Sequence, residues 1–177
     1  YGKIQDLKLD LSLVDEYLQA NPIKTAQDFA NYESFVAKIK AEKPLVADDS
    51  VDIVLSNCVL NLVKSEDKEQ LFQEIFRVVK KGGRVAISDI VSDEEVPQHL
   101  QENPELWSGC ISGAFREDDF IAAFDRAGFY GMEIAKRDEQ PWRIVEGIEF
   151  RAITVTAYKG KQGECWEHNQ AVIYKGP

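Results

Sequence analysis

The run VDIVLSNCVLNLV, residues 51–63, decides the fold. Val51 to Leu55 is nearly continuous apolar sequence with Asp52 as its only charge, the pattern of a strand covered on both faces. The strand then delivers Ser56, Asn57 and a thiol, Cys58, to its C-terminal end. Outward from it, strand and helix alternate. Ser65 to Val79 places Leu71, Phe72, Ile75, Phe76 and Val79 on one helical face, with Glu66 and Asp67 in the first turn and Lys80 and Lys81 in the last. Gly82 and Gly83 read as the left-handed cap of that helix, and Arg84 to Val91 as the next strand. A strand-helix-strand unit normally makes a right-handed crossover in a parallel sheet.

Downstream, Ser92 to Ala114 is a long polar connection carrying the Trp107-Ser108-Gly109-Cys110 cluster, and connections of this length are usually functional or mobile. Asp118 to Ala127 reads as a helix stopped by Gly128, and Tyr130 to Lys136, Phe150 to Tyr158 and Ala171 to Tyr174 as strands. Upstream, Leu11, Val14, Tyr17 and Leu18 mark one helix, ended by Asn21-Pro22. Thr25 with Asp28 resembles a capping box for a second, with Phe29, Tyr32, Val36 and Ile39 as its apolar stripe. The division is therefore a helical segment over residues 1–43 and an α/β domain over residues 44–177, together one compact domain.

Composition sets the function classes. A chain of 177 residues, 44% hydrophobic, is long enough for one core. With 21 basic against 31 acidic residues and a net charge of -10, it repels a phosphate backbone, so neither nucleic acid nor an anionic membrane is an expected partner. No apolar run approaches the roughly 18 to 20 residues that cross a bilayer, and Tyr1 opens neither a basic nor an apolar leader. The absence of an initiating methionine points to residues upstream. Three cysteines, Cys58, Cys110 and Cys165, are too few and too far apart for a disulfide framework, which suits reduced thiols in a cytoplasmic protein.

Taken together, DDSVDIVLSNCVLNLV, FRVVKKGGRVAISDIV, PELWSGCISGAF and IEFRAITVTAYKG resemble the C-terminal portion of class I S-adenosylmethionine-dependent methyltransferases, and more narrowly the arsenite methyltransferases. The resemblance covers residues 44–177. It implies a partial Rossmann-like sheet of four to six strands, mostly parallel, with helices on both faces. It implies methyl transfer from S-adenosylmethionine to a small acceptor, trivalent arsenic held by thiols. Trivalent arsenic is soft and prefers thiolates. Cys58 and Cys110 would hold it, with Cys165 as a third thiol, and Asn57 and Val59 would line the cofactor side. Read by residue type alone, Cys58 is a small buried hydrophobe, the Cys165 and His168 pair argues little for zinc, and His99 is a solvated loop residue.

One departure from the family is large. Between Gly2 and Gly82 there is no glycine, so the glycine-rich turn that holds the cofactor in this fold is missing from that stretch. The alternative reading is a non-catalytic methyltransferase-like module that binds a soft metal or metalloid, or a protein partner. Without the first strands of the sheet, Val51 to Leu55 becomes a hydrophobic edge. The helix from Thr25 to Lys40 is expected to cover it, or the strand to pair across a homodimer.

Overall fold

The computed structural model describes residues 2–160. Its six helices are α1 (Leu11–Ala20), α2 (Ala26–Glu42), α3 (Lys68–Val78), α4 (Gln98–Gln101), α5 (Pro104–Ser108) and α6 (Glu117–Ala127). The strands are β1 (Val51–Asn57), β2 (Val79–Ser92), β3 (Phe115–Arg116), β4 (Tyr130–Arg137), β5 (Arg143–Val145) and β6 (Ile148–Tyr158). The main sheet runs β1-β2-β6-β4. β1 and β2 are parallel, with Val54 opposite Val85 and Asn57 opposite Ser88. β6 is antiparallel to both β2 and β4, so among these four strands β1, β2 and β4 point one way and β6 alone is reversed. The α/β class is as expected, but the sheet is mixed rather than mostly parallel: β1-β2 and β2-β3 pair parallel, whereas β6 pairs antiparallel with β2, β4 and β5.

The core lies on one face of this sheet. Val85 and Ile87 of β2 and Ile153, Val155 and Ala157 of β6 meet Leu71, Phe72 and Ile75 of α3 and Phe120 and Phe124 of α6. Phe72 sits edge-on to Phe124 at 5.0 Å between centroids, and Phe120 edge-on to Phe124 at 5.4 Å. Each such ring, removed from water, contributes about 1.5–3 kcal/mol. The second face is covered only toward the C-terminal end of β2, where Ile90 and Phe150 pack against Leu100 of α4 and Leu106 of α5. Helices thus lie on both faces, unequally. The Ser92 to Ala114 connection is not plain loop: Asn103 caps α5 by accepting from the Glu105 and Leu106 N–H groups, with Pro104 in the first turn.

Three expectations are corrected. Gly82 and Gly83 do not cap α3, because the chain turns extended at Val79 to pair with Val51. They lie in a register irregularity of β2, where Gly82 takes φ +80° and donates its N–H to the Lys159 and Gly160 carbonyls. β1 is not covered on both faces. Val54 and Ser56 lie on the helix-covered side, whereas Ile53 is 46% and Leu55 75% exposed on the other. Nor does α2 cover β1. The N-terminal segment is tied to α3 instead: Glu74 accepts the Leu7 N–H at 2.8 Å, Gln70 donates to the Gln5 carbonyl, and Arg77 donates to the Val46 carbonyl. The Thr25–Asp28 capping box of α2 forms as read. The strand read at Ala171 to Tyr174 lies outside the described residues.

Candidate functional site

Parallel strands release their following loops at one edge of a sheet, and here that edge collects the chemistry. Cys58 follows the last residue of β1, donates its N–H to the Ser88 carbonyl of β2 at 2.9 Å, and takes φ +52°. The chain then makes a short 3-10 turn over Leu60–Leu62. Cys110 follows α5 with φ +60°, its N–H donating to the Trp107 carbonyl. Both thiols therefore sit on left-handed backbone, which is uncommon for a residue with a side chain and persists only where the surroundings enforce it.

The sulfur atoms of Cys58 and Cys110 and a carboxylate oxygen of Asp89 lie within 4.8 Å of one another. The Cys110 thiol also lies 3.7 Å from the Cys58 carbonyl as donor. Asp89 is buried in β2, and its carboxylate accepts the N–H groups of Leu60 at 2.9 Å, Asn61 at 3.4 Å and Ile90 at 2.9 Å. Burial pushes its carboxyl up from the ordinary range, against those hydrogen bonds. Burial, and then the Asp89 charge, push both thiols up as well, so Cys58 and Cys110 are held as thiols at neutral pH.

Two further side chains tie the surrounding loops. Asn61, fully buried, donates its amide to the Ile90 carbonyl at 2.7 Å and the Cys110 carbonyl at 3.0 Å. Lys68 at the start of α3 donates to the Gly113 carbonyl, with its ammonium 4.1 Å from the Phe115 ring centroid. Gly113 itself is required by contact: a Cβ there would fall 1.9 Å from the Asn61 carbonyl oxygen.

The structure thus brings together Cys58 and Cys110 of the residues singled out by sequence. Asn57 and Val59 stand exposed on either side of Cys58 at the rim of β1. Cys165 lies outside the described residues. His99 is exposed and pairs with Glu146 at 2.8 Å. Asp89, Asn61 and Lys68 were missed. Asp89 carried a signal, an acidic residue inside the apolar strand GRVAISDI, whereas Asn61 reads simply as a turn residue.

Comparison with known proteins now places the chain. The profile of a family described as a methyltransferase domain matches residues 17–142. An arsenite methyltransferase of Halobacterium salinarum is 47% identical over 94 residues, which is 53% of this chain and 24% of that protein. One of Homo sapiens is 38% identical over 137 residues, 74% of this chain and 36% of that protein. The solved structure of an arsenic(III) S-adenosylmethionine methyltransferase from Chlamydomonas reinhardtii matches with a TM-score of 0.58 at 30% identity, covering 69% of this chain and 42% of that one. The chain spans less than half the length of each. With the profile taking in most of its residues, the chain belongs to the methyltransferase domain family, with arsenite methyltransferases among its relatives.

Proposed function

We propose that this chain supplies the acceptor-binding half of an S-adenosylmethionine-dependent methyltransferase that acts on thiol-bound arsenite. The observation that carries this reading is the placement of the Cys58 and Cys110 sulfurs within 4.8 Å of each other at the C-terminal edge of a methyltransferase sheet. Two thiols and arsenous acid condense to a dithiolate that keeps one hydroxyl, releasing two waters. Each thiol proton leaves on a departing hydroxyl, so the raised thiol pKa values do not oppose binding. The bound arsenic keeps its lone pair, and holding it in one place supplies the positioning on which its reaction depends. Cys165 is proposed as a third thiol. Reduced thiols require a reducing compartment, which favours the cytoplasm.

S-adenosylmethionine would bring a methyl group on a sulfonium leaving group, and the described residues do not build its cradle. No glycine lies between Gly2 and Gly82, and β1 has no strand on its outer side among the described residues. Asn57 and Val59 form one flank only. The role derived for this chain is therefore capture and presentation of the acceptor.

Titration of the reduced chain with phenylarsine oxide, which needs two thiols, tests this. One-to-one binding is expected, weakened roughly a hundredfold or more in Cys58→Ser and Cys110→Ser as one arm of the chelate is lost. Unchanged affinity in folded Cys58→Ser would remove that residue from the site, and Cys165→Ser reads the third position in the same way.

A further inference from the structure

The two thiols belong to different loops, and nothing in either loop alone fixes the distance between them. Cys58 is set by β1 and its N–H bond to Ser88, whereas Cys110 hangs on the short helix α5, 52 residues further along the chain. Each occupies left-handed backbone, a conformation that a residue with a side chain keeps only where its surroundings enforce it. A two-thiol acceptor is gripped well only if this spacing is fixed beforehand. The group that fixes it must reach both loops and must itself be immobile.

Asn61 meets both conditions. Its side chain is fully buried, and its backbone N–H is held by the Asp89 carboxylate. Its amide nitrogen donates to Ile90 of β2 and to Cys110, one carbonyl on each side of the site. The loop carrying Cys110 is pressed onto the Asn61 backbone at Gly113, where even a methyl group has no room. The Asn61 Oδ1 has no hydrogen-bond partner, although it is buried. An apolar residue at this position would leave the Ile90 and Cys110 carbonyls without the donor that joins them.

We infer that Asn61 is a positioning residue: its side-chain amide ties the Cys110 loop to β2 and thereby sets the spacing of the Cys58 and Cys110 thiols for a two-thiol acceptor. The inference rests on the arsenic reading for its ligand, but the spacing can be measured without arsenic. In a glutathione buffer the two thiols close to a disulfide while one oxidised glutathione becomes two reduced glutathiones. The equilibrium constant of that exchange reports their effective concentration toward each other.

Asn61→Leu keeps the side chain's approximate volume and removes both donors. We expect this variant to lose at least tenfold in phenylarsine oxide affinity and a similar factor in effective concentration. Alkylation of either single thiol by iodoacetamide should not slow, because a one-thiol reaction does not read the spacing; a merely structural loss would change all three together. A folded Asn61→Leu chain that stays within twofold of the parent in both two-thiol measurements overturns the inference. If the parent fails to bind phenylarsine oxide while Asn61→Leu still lowers the effective concentration, the arsenic reading fails and the positioning role stands. Should the variant not fold, the parent decides by nuclear magnetic resonance. The Asn61 side-chain amide protons are expected to exchange slowly with solvent, and exchange at the rate of a free amide overturns the proposal.

Discussion

Lys68 offers the sharpest test of the packing around the site. It is 8% exposed, and burial pulls its ammonium from 10.5 down to about 8, opposed by the Asp89 charge. The folded chain therefore releases this proton near pH 8, while the unfolded chain holds it to about 10.5. Between those values the unfolded state binds more protons, so stability rises with pH. The contribution is fully present above 10.5 and is lost as pH falls through 8. A gap of about 2.5 units at ~1.36 kcal/mol per unit amounts to roughly 3 kcal/mol, of which about 2.5 kcal/mol develops between pH 7 and pH 10. Lys68→Met keeps the buried stem and removes the titration. Urea unfolding of parent and variant across that range should show the parent gaining about 2.5 kcal/mol relative to the variant. Cys58 and Cys110 titrate with the opposite sign, since their raised values give stability that is lost as pH rises, and they cancel in the subtraction. Stability curves that stay parallel from pH 7 to pH 10 would refute the burial of a charged Lys68.

Phe72 is 1% exposed and meets Phe115, Phe120 and Phe124 edge-on, so Phe72→Ala should destabilise by about 3–5 kcal/mol in a denaturant melt. Gly113→Ala drives a methyl into the Asn61 carbonyl; about 1–3 kcal/mol of stability should be lost, together with phenylarsine oxide affinity, in paired melts and titrations. The proposed arsenical site is built from β1, β2 and the α5 loop, so its affinity should be the same with and without S-adenosylhomocysteine in a calorimeter. Saturable one-to-one binding of S-adenosylhomocysteine that shifts it would show that the described residues do form a cofactor pocket.

Periodicity revealed the elements that have a buried stripe: α3 and α6 were legible from Leu71, Phe72, Ile75, Phe120 and Phe124, which close one core. The Thr25–Asp28 capping box was legible too, because it is local. What failed was non-local. Lys80 to Gly83 looks like a helix end, yet pairing of Val79 with Val51 draws those residues into β2. The apolar run of β1 suggested two covered faces, but whether a face is covered depends on neighbours that sequence spacing does not specify. The thiols could be singled out by type and context, whereas Asn61 acts through a bond to a residue 49 positions away.

This asymmetry separates the two halves of the proposed chemistry. The proposed acceptor site needs three things: the end of β1 for Cys58, the C-terminal end of β2 for Asp89, and the α5 loop for Cys110. Asp89 stands on the central strand β2, Cys58 is bonded to it through the Ser88 carbonyl, and the Cys110 loop is tied to it through Asn61; β2 is hydrogen-bonded on both sides and backed by α3 and α6. The cofactor side would stand on β1, which has no strand on its outer edge among the described residues and whose open face exposes Ile53 and Leu55. The thiol site is thus anchored on a buried, doubly paired strand and the cofactor side on an open one. Cys58 is held at the far end of β1 by the Ser88 carbonyl of β2. On the proposed reading, metalloid capture does not depend on the cofactor side, and a substitution such as Leu55→Ser, on the open face of β1, should leave the dithiol geometry in place.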